Sequence, residues 1–141
     1  MKRKAPELRD DGTYTKYRGM EVEFYKLATS FDDVYTLRST DKKSLELGFT
    51  EYAEGIYIKR DIPRSELGKC FIVENYAKVD GYESMFEGPD KNGLIWMDTD
   101  DEAFAEKYEH FLYERGLYCF GVPMEKCKFY EKRKRYKFED E

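Results

Sequence analysis

The sequence contains little of the chemistry that most enzymes use. His110 is the only histidine, and the three cysteines (Cys70, Cys119 and Cys127) are odd in number and widely spaced. This pattern excludes a disulfide framework, a CxxC pair and a zinc site built from several histidines. A catalytic triad needs a histidine beside its nucleophile, and no motif flanks His110. A dyad of His110 with one cysteine stays open, but we expect reduced, inert thiols and no enzymatic activity.

Long apolar runs and glycine-rich phosphate loops are also missing. The longest apolar runs, among them residues 70–73 and 94–97, contain four residues each. A membrane-spanning helix needs roughly 20 apolar residues, and a signal peptide needs roughly 7–15. No glycine-rich loop of the Walker or dinucleotide type occurs. We therefore expect a cytoplasmic protein with no membrane contact and no cofactor.

The composition is that of a folded and highly charged protein. Of the 141 residues, 39% are charged and 17% are aromatic, with a net charge of −5 and a pI of about 5.2. A disordered chain would be poor in aromatic residues, and an acidic domain disfavours nucleic-acid binding. The length suits one domain. We expect a flexible lead-in over residues 1–17, a single domain over residues 18–138 and an acidic tail over residues 139–141.

Period-two alternation predicts antiparallel strands. Apolar and acidic residues alternate over residues 20–24, which is typical of a half-buried strand. Asp80-Gly81 is a hairpin signal between two further strands. The chain lacks the strict alternation of strand and helix that a parallel sheet requires. We predict an α+β fold with a mainly antiparallel sheet of about six to eight strands.

Two helices complete the predicted fold. Polar capping residues before residue 42 and Gly48 after residue 47 predict a short helix over about 41–47. Thr99 and Glu102 have the spacing of a capping box, and Gly116 supplies a stop. Between them, four apolar residues follow at helical spacing: Phe104, Tyr108, Phe111 and Leu112. We expect one long helix over about 100–115 that covers one face of the sheet.

Charge is strongly segregated along the chain. Residues 74–114 contain twelve acids and three bases, a net charge of −9, whereas residues 115–137 contain eight bases and two acids, a net charge of +6. Aromatic residues lie among the acids, and this mixture is typical of a protein-binding hot spot. A solvated helix cap and surface would explain the acids without a partner. The candidate partner-binding residues are Tyr82, Glu83, Glu87, Asp90, Trp96, Asp98, Asp100, Asp101, Glu106 and Glu109.

Two charged stretches allow other interpretations. Residues 98–102 begin like a calcium loop, but the glycine and the closing glutamate of an EF-hand are absent, so we expect no metal. The basic run 132–135, with aromatic neighbours, could contact phosphates and bases. It could also protect an edge strand or neutralise the acidic surface. The overall acidity disfavours contact with nucleic acid.

A further set of stretches carries a resemblance to a known class of proteins: residues 37–41, 47–49 and 55–59, together with Pro63 and Glu66-Leu67. In these stretches the chain resembles the immunity proteins of bacterial polymorphic toxin and contact-dependent inhibition systems. The resemblance implies a non-catalytic inhibitor of a cognate toxin domain encoded beside it. Such toxins are often nucleases with basic clefts, which an acidic immunity protein can occlude.

Two other functions fit the same observations. Tyrosine and phenylalanine side chains could line a pocket between sheet and helix, as in a ligand-sensing or regulatory domain. A phage-encoded inhibitor of a host nucleic-acid-binding protein would use the same acidic surface.

Overall fold

Antiparallel strands dominate the protein. The computed structural model describes residues 8–27 and 32–139, of which 56% lie in strands and 12% in helices. Residues 1–7 of the expected lead-in and residues 140–141 of the expected tail lie outside the described residues. The strands are β1 (Gly12–Tyr17), β2 (Met20–Tyr25), β3 (Val34–Ser39), β4 (Thr50–Ala53), β5 (Ile56–Pro63), β6 (Cys70–Val79), β7 (Tyr82–Met85), β8 (Leu94–Thr99), β9 (Glu109–Glu114), β10 (Leu117–Pro123) and β11 (Lys128–Arg135).

The helices of the described residues are all short. A single α-helix, α1, spans Glu102–Ala105, and 3₁₀ helices span Lys42–Leu47, Arg64–Glu66 and Met124–Lys126. The helix expected over about 41–47 corresponds to the first 3₁₀ helix, where the Asp41 carboxylate accepts a hydrogen bond from the Lys43 amide. None of the helices in the described part of the chain has the length and apolar character that crossing a bilayer would take.

The long helix predicted over about 100–115 is wrong, and the α+β class is wrong with it. The chain leaves α1 after four residues and forms β9, which pairs antiparallel with β10. Gly116, interpreted from the sequence as a helix stop, lies in the turn between these strands at a φ of 78°. The protein is mostly antiparallel sheet. The described residues form eleven strands, eight of them in one sheet, within the six to eight predicted for the sheet, and three in another.

The apolar spacing that predicted the helix has two separate origins. Phe104 and Tyr108 do pack inward, with ring centroids 5.4 and 5.5 Å from that of Phe120. Phe111 and Leu112 instead lie on β9 with exposed fractions of 50% and 60%. Aromatic and other β-forming residues dominate 110–113, and a hairpin partner satisfies their backbone groups. Local periodicity does not distinguish these cases.

The expected capping box is also wrong. Asp101 is the N-cap of α1, and its carboxylate accepts a hydrogen bond from the Phe104 amide at 3.2 Å. The hydroxyl oxygen of Thr99, a buried residue at the end of β8, accepts one from the Asp101 amide at 3.1 Å. Thr99 therefore supports the turn before α1 rather than the helix itself.

The chain divides into two compact units, and the single domain expected over residues 18–138 stays a prediction. The N-terminal unit comprises residues 11–27, 32–73 and 133–139, and the acidic unit comprises residues 8–10 and 74–132. Residues 74–132 contain fourteen acids and seven bases, a net charge of −7.

In the N-terminal unit, strands pair antiparallel in the order β6-β1-β2-β3-β5-β4. Residues 12–17, expected as part of a flexible lead-in, form β1. Inward side chains of alternating residues build the core, and Tyr17, Val22, Phe24 and Leu37 are almost fully buried.

The acidic unit has a core of its own. Strands β8, β10 and β9 form a three-stranded sheet in that order, and β6 pairs with β7. Ile95, Met97, Phe120 and Val122 are buried on one face of the three-stranded sheet. Directly opposite residues, such as Met97 and Phe120, share this face.

We predict a large difference between two phenylalanine substitutions in the acidic unit. Phe120→Ala removes a fully buried ring that contacts Tyr82, Phe104 and Tyr108, and should lower the free energy of unfolding by about 3–5 kcal/mol. Phe111→Ala removes a half-exposed ring and should cost about 1 kcal/mol or less. Urea denaturation followed by circular dichroism measures both. Equal losses would contradict the exposed position of β9, because a buried helix stripe would place both rings in the core.

Candidate functional site

The outer face of the β8-β10-β9 sheet gathers acidic and aromatic side chains. Trp96 on β8 lies opposite Gly121 on β10, and Gly121 lies opposite Glu109 on β9. On the other side of β8, Glu87 and Trp96 exchange two backbone hydrogen bonds of 2.9 Å. Directly opposite residues share a face. The four residues therefore form one row, Glu87–Trp96–Gly121–Glu109.

A second row lies beside the first. Asp98, Cys119 and Phe111 are opposite one another on the same three strands. The ring centroids of Trp96 and Phe111 are 5.7 Å apart at 51°, so the two rows touch through their aromatic rings. We call this surface the acidic aromatic face, and it comprises Glu87, Trp96, Asp98, Glu109, Phe111, Cys119 and Gly121.

Gly121 lets the Trp96 indole lie across the neighbouring strand. A Cβ at position 121 would stand 3.0 Å from the indole atoms Cη2 and Cζ2 and 3.2 Å from Leu94 Cδ1. The φ of Gly121 does not lie in the left-handed region. Glycine at position 121 therefore allows the Trp96 indole to approach the β10 backbone closely. The indole in turn covers backbone that would otherwise be exposed beside a residue without a side chain.

Asp90 holds the other edge of the indole. Its carboxylate accepts hydrogen bonds from Trp96 Nε1 at 2.7 Å and from the amides of Asn92 and Leu94 at 2.9 Å each. The indole bond, followed by the backbone bonds, lowers the pKa of the Asp90 carboxyl. Asp90 thus orients the Trp96 indole from the turn before β8, and its carboxylate already accepts these three hydrogen bonds.

The structure brings together part of the predicted site. Glu87, Trp96, Asp98 and Glu109 share the acidic aromatic face, with Asp90 beside the indole. Asp100 and Glu106 are exposed on either side of α1, and Asp101 caps that helix. A partner-binding role for these residues stays a prediction.

Two predicted residues are engaged elsewhere in the acidic unit. The Glu83 carboxylate forms an ion pair of 2.6 Å with Lys132. The Tyr82 ring contacts Phe104 and Phe120, and its hydroxyl donates a hydrogen bond to the Asp98 carbonyl. Tyr82 therefore supports the core beneath the sheet.

Sequence reasoning missed the exposed apolar residues of β9. Phe111, Leu112 and Tyr113 have exposed fractions of 50%, 60% and 63%. The signal was present as three consecutive apolar residues between Glu109 and Glu114, followed by Arg115-Gly116. A two-residue turn ending in glycine between β-forming runs is a hairpin pattern.

Cys119 lies on the acidic aromatic face but has the character of a protonated thiol. Its Sγ donates a hydrogen bond to Asp98 Oδ1 at 2.9 Å. Burial, this hydrogen bond and the charges of Asp98 and Glu87 raise the pKa of the thiol to about 12. His110 lies opposite Phe120 in the register of β9 and β10, on the face of the sheet away from Cys119. Its ring Nδ1 contacts the Tyr108 carbonyl. Cys119 and His110 do not form a dyad.

The acidic stretch from Asp98 to Glu102 shows no ligand geometry. In the described ranges, no three histidine, cysteine or carboxylate side chains converge as metal ligands would. Asp98 accepts from Cys119, and Asp101 caps α1.

The basic run lies on β11, which pairs with β6 at one end of the strand order. Within the acidic unit, Lys132 pairs with Glu83 and its ammonium lies 4.3 Å from the Tyr76 ring centroid. Within the N-terminal unit, Arg133 pairs with Glu21 at 3.1 Å. Ion pairs within each unit therefore neutralise part of the positive charge of this run.

The N-terminal unit contains a cleft of about 540 Å³. Aromatic side chains line it beside charged ones, and the Arg64 guanidinium lies 3.8 Å from the Phe138 ring centroid. The Tyr35 hydroxyl donates a hydrogen bond of 3.0 Å to Asp33. Burial and this carboxylate raise the pKa of Tyr35 to about 12, so the phenol is neutral at physiological pH.

Comparison with known proteins identifies the family. Residues 9–139 match the family described as uncharacterised conserved protein UCP033725, and the chain belongs to it. No curated protein and no solved structure matches the chain.

We predict an acid transition in the fluorescence of Trp96, the only tryptophan. The folded-state pKa of Asp90 lies below its ordinary value of 3.8. The interaction therefore stabilises the fold above that value and is lost as the pH falls through the folded pKa. The emission of Trp96 should change below pH 3.8, as the carboxylate is protonated and the indole N–H loses its charged acceptor.

Asp90→Asn is the matched control for this titration. The amide oxygen keeps an acceptor for the turn, but the side chain no longer titrates. The variant should lack the transition while keeping the circular dichroism spectrum of the parent. An identical transition in both proteins would show that Asp90 is not its source.

Proposed function

We propose that this protein is a non-catalytic inhibitor that binds a basic protein domain through the acidic aromatic face. The observation that carries the proposal is the row Glu87–Trp96–Gly121–Glu109, which sets an oriented indole between two exposed carboxylates. Aromatic anchors flanked by charge are typical of the residues that dominate binding energy at protein interfaces.

The electrostatics of the acidic unit favour a basic partner. Neither Glu87 nor Glu109 forms an ion pair with any residue that the structure describes. Residues 74–132 have a net charge of −7. Clustered uncompensated charge accelerates association with an oppositely charged surface and excludes like-charged partners.

The rigidity of Trp96 supports the same role. Asp90 holds the indole N–H, Gly121 lies beneath the ring and the Phe111 ring packs against it. A side chain already held in one orientation loses less entropy when it is buried by a partner. The face is therefore suited to recognition without rearrangement.

Within this class, we propose an immunity protein for a cognate toxin domain, cytoplasmic and acting by occlusion. The acidic face would cover a basic, phosphate-binding cleft, such as that of a nuclease, and keep substrate out. The chain would supply no chemistry to the inhibition. The small acidic chain and the resemblance described above support this assignment.

Co-expression tests the assignment directly. The C-terminal domain of the toxin encoded beside this chain, produced alone, should arrest growth of the host cell. Growth should return when this protein is produced with it, and the two should co-purify at equal stoichiometry. A neighbouring gene product that neither binds this protein nor loses activity in its presence would overturn the immunity assignment.

We predict that Glu87→Lys with Glu109→Lys slows association with that partner about ten-fold or more at low salt. The two carboxylates flank the indole, so their reversal repels a basic surface at the centre of the interface. The matched control is Glu51→Lys with Glu54→Lys, two exposed acids of the N-terminal unit whose reversal changes the net charge equally. Stopped-flow fluorescence of Trp96 measures the rate. Equal slowing by both double variants would indicate overall charge and would contradict a local face.

The cleft of the N-terminal unit favours a second candidate function, the binding of a small ligand. Its mixture of aromatic rings and charged groups suits a small molecule with apolar and ionic parts. Stoichiometric binding of a metabolite by the isolated protein, lost on Arg64→Ala and unaffected by Phe111→Ala, would favour this function over inhibition of a protein.

A further inference from the structure

Strand β9 is the longest fully exposed edge strand in the described chain. All six of its residues are exposed, and β10 is the one strand with which it pairs in the described chain. At an edge strand, every second residue directs its N–H and C=O groups away from the sheet. The β9 edge therefore offers unpaired backbone groups beside exposed Phe111, Leu112 and Tyr113.

Strands β4 and β11, at the two ends of the order β11-β6-β1-β2-β3-β5-β4, are better protected against pairing. Strand β4 has four residues and an irregular register with β5. Strand β11 contains five lysine or arginine residues, and such charges discourage further strand addition. In contrast, β9 has three consecutive apolar residues and no lysine or arginine within its bounds. Its protection is limited to a register shift at its hairpin end and a glutamate at each terminus.

The glutamates at the two ends of β9 determine which kind of strand can pair with its free edge. If two copies paired antiparallel through all six residues of β9, Glu109 of each copy would lie opposite Glu114 of the other. Like charges directly opposite one another destabilise a sheet. A strand with lysine or arginine at these positions would gain attraction at both ends instead.

We infer that β9 receives an extended, basic strand from the partner, which continues the β8-β10-β9 sheet by one strand. This inference deepens the proposed function, because it rests on the partner being a basic protein and names how that partner docks. The backbone hydrogen bonds would supply affinity, and alternate side chains of the added strand would lie beside Phe111 on the acidic aromatic face.

A defined peptide tests the docking mode without the toxin. The probe is an eight-residue peptide of alternating lysine and valine, titrated against the full chain with Trp96 fluorescence as readout. Nuclear magnetic resonance with hydrogen exchange then locates the site. We expect saturable binding and slower exchange of outward-facing amides within Glu109–Glu114. Absence of binding, or binding without protection of β9, would overturn the inference.

Two control peptides separate strand addition from simple charge attraction. A glutamate–valine peptide of equal length should not bind. A lysine–valine peptide methylated on alternate backbone nitrogens keeps its charge but cannot donate hydrogen bonds along one edge, and should bind at least about ten-fold more weakly. Equal binding of the methylated peptide would show an electrostatic contact only and would overturn strand addition.

A matched pair of variants completes the test. Leu112→Lys introduces a positive charge on an exposed side chain of β9 and should reduce binding of the basic peptide about ten-fold or more. Leu45→Lys adds the same charge to an exposed position in the 3₁₀ helix of the N-terminal unit and should leave binding unchanged. Circular dichroism confirms that both variants fold. Equal weakening by the two variants would overturn the assignment to β9.

The remaining outcomes separate this inference from the proposed function. Protection of β9 that rises with protein concentration, together with a dimer in sedimentation, would assign the edge to a second copy and overturn the inference. Inhibition of the toxin without protection of β9 would leave the proposed function intact and reject the docking mode. Peptide binding at β9 without toxin inhibition would retain the docking mode and reject the immunity role.

Discussion

The pairing of β9 with β10 is the constraint on which the candidate site depends. It places Glu109 beside Gly121 and Phe111 beside Cys119, and thereby completes both rows of the acidic aromatic face. If residues 109–114 continued α1 as a helix, their apolar side chains would turn toward the core and no third strand would extend the sheet. Exposure of Phe111, Leu112 and Tyr113 is the consequence of strand formation, because no element of the described chain covers β9.

The centre of the face is rigid because three groups hold one indole. Gly121 has no side chain that would stand under the ring, Asp90 accepts a hydrogen bond from Nε1, and the Phe111 ring packs against the indole. Each contact comes from a different segment of the chain. Such prior ordering is valuable at an interface, since association then costs less conformational entropy.

The charge that stays uncompensated on each unit depends on which charged side chains form ion pairs within that unit. Lys132 pairs with Glu83 in the acidic unit, and Arg133 pairs with Glu21 in the N-terminal unit. These ion pairs neutralise part of the positive charge of the basic run 132–135, which was considered from the sequence as a nucleic-acid contact. Glu87 and Glu109 form no such pair among the described residues. A partner that approaches the outer face of β8-β10-β9 therefore meets negative charge around an aromatic centre.

The sequence by itself determined the features that depend on neighbours along the chain. Period-two alternation correctly indicated antiparallel strands. Asp41 and Gly48 correctly marked the start and the end of the short helix. The cluster of acids around Trp96 within residues 74–114 was visible in the sequence. The tertiary structure alone decided that residues 109–114 are a strand, since Phe104 and Tyr108 pack inward while Phe111 does not. It also decided which of ten candidate residues share a face. Glu87 and Glu109 lie in one row with Trp96 only through the pairing of residue 87 with β8 and the registers of β8, β10 and β9. Strand pairing between distant segments leaves no periodic trace in either one.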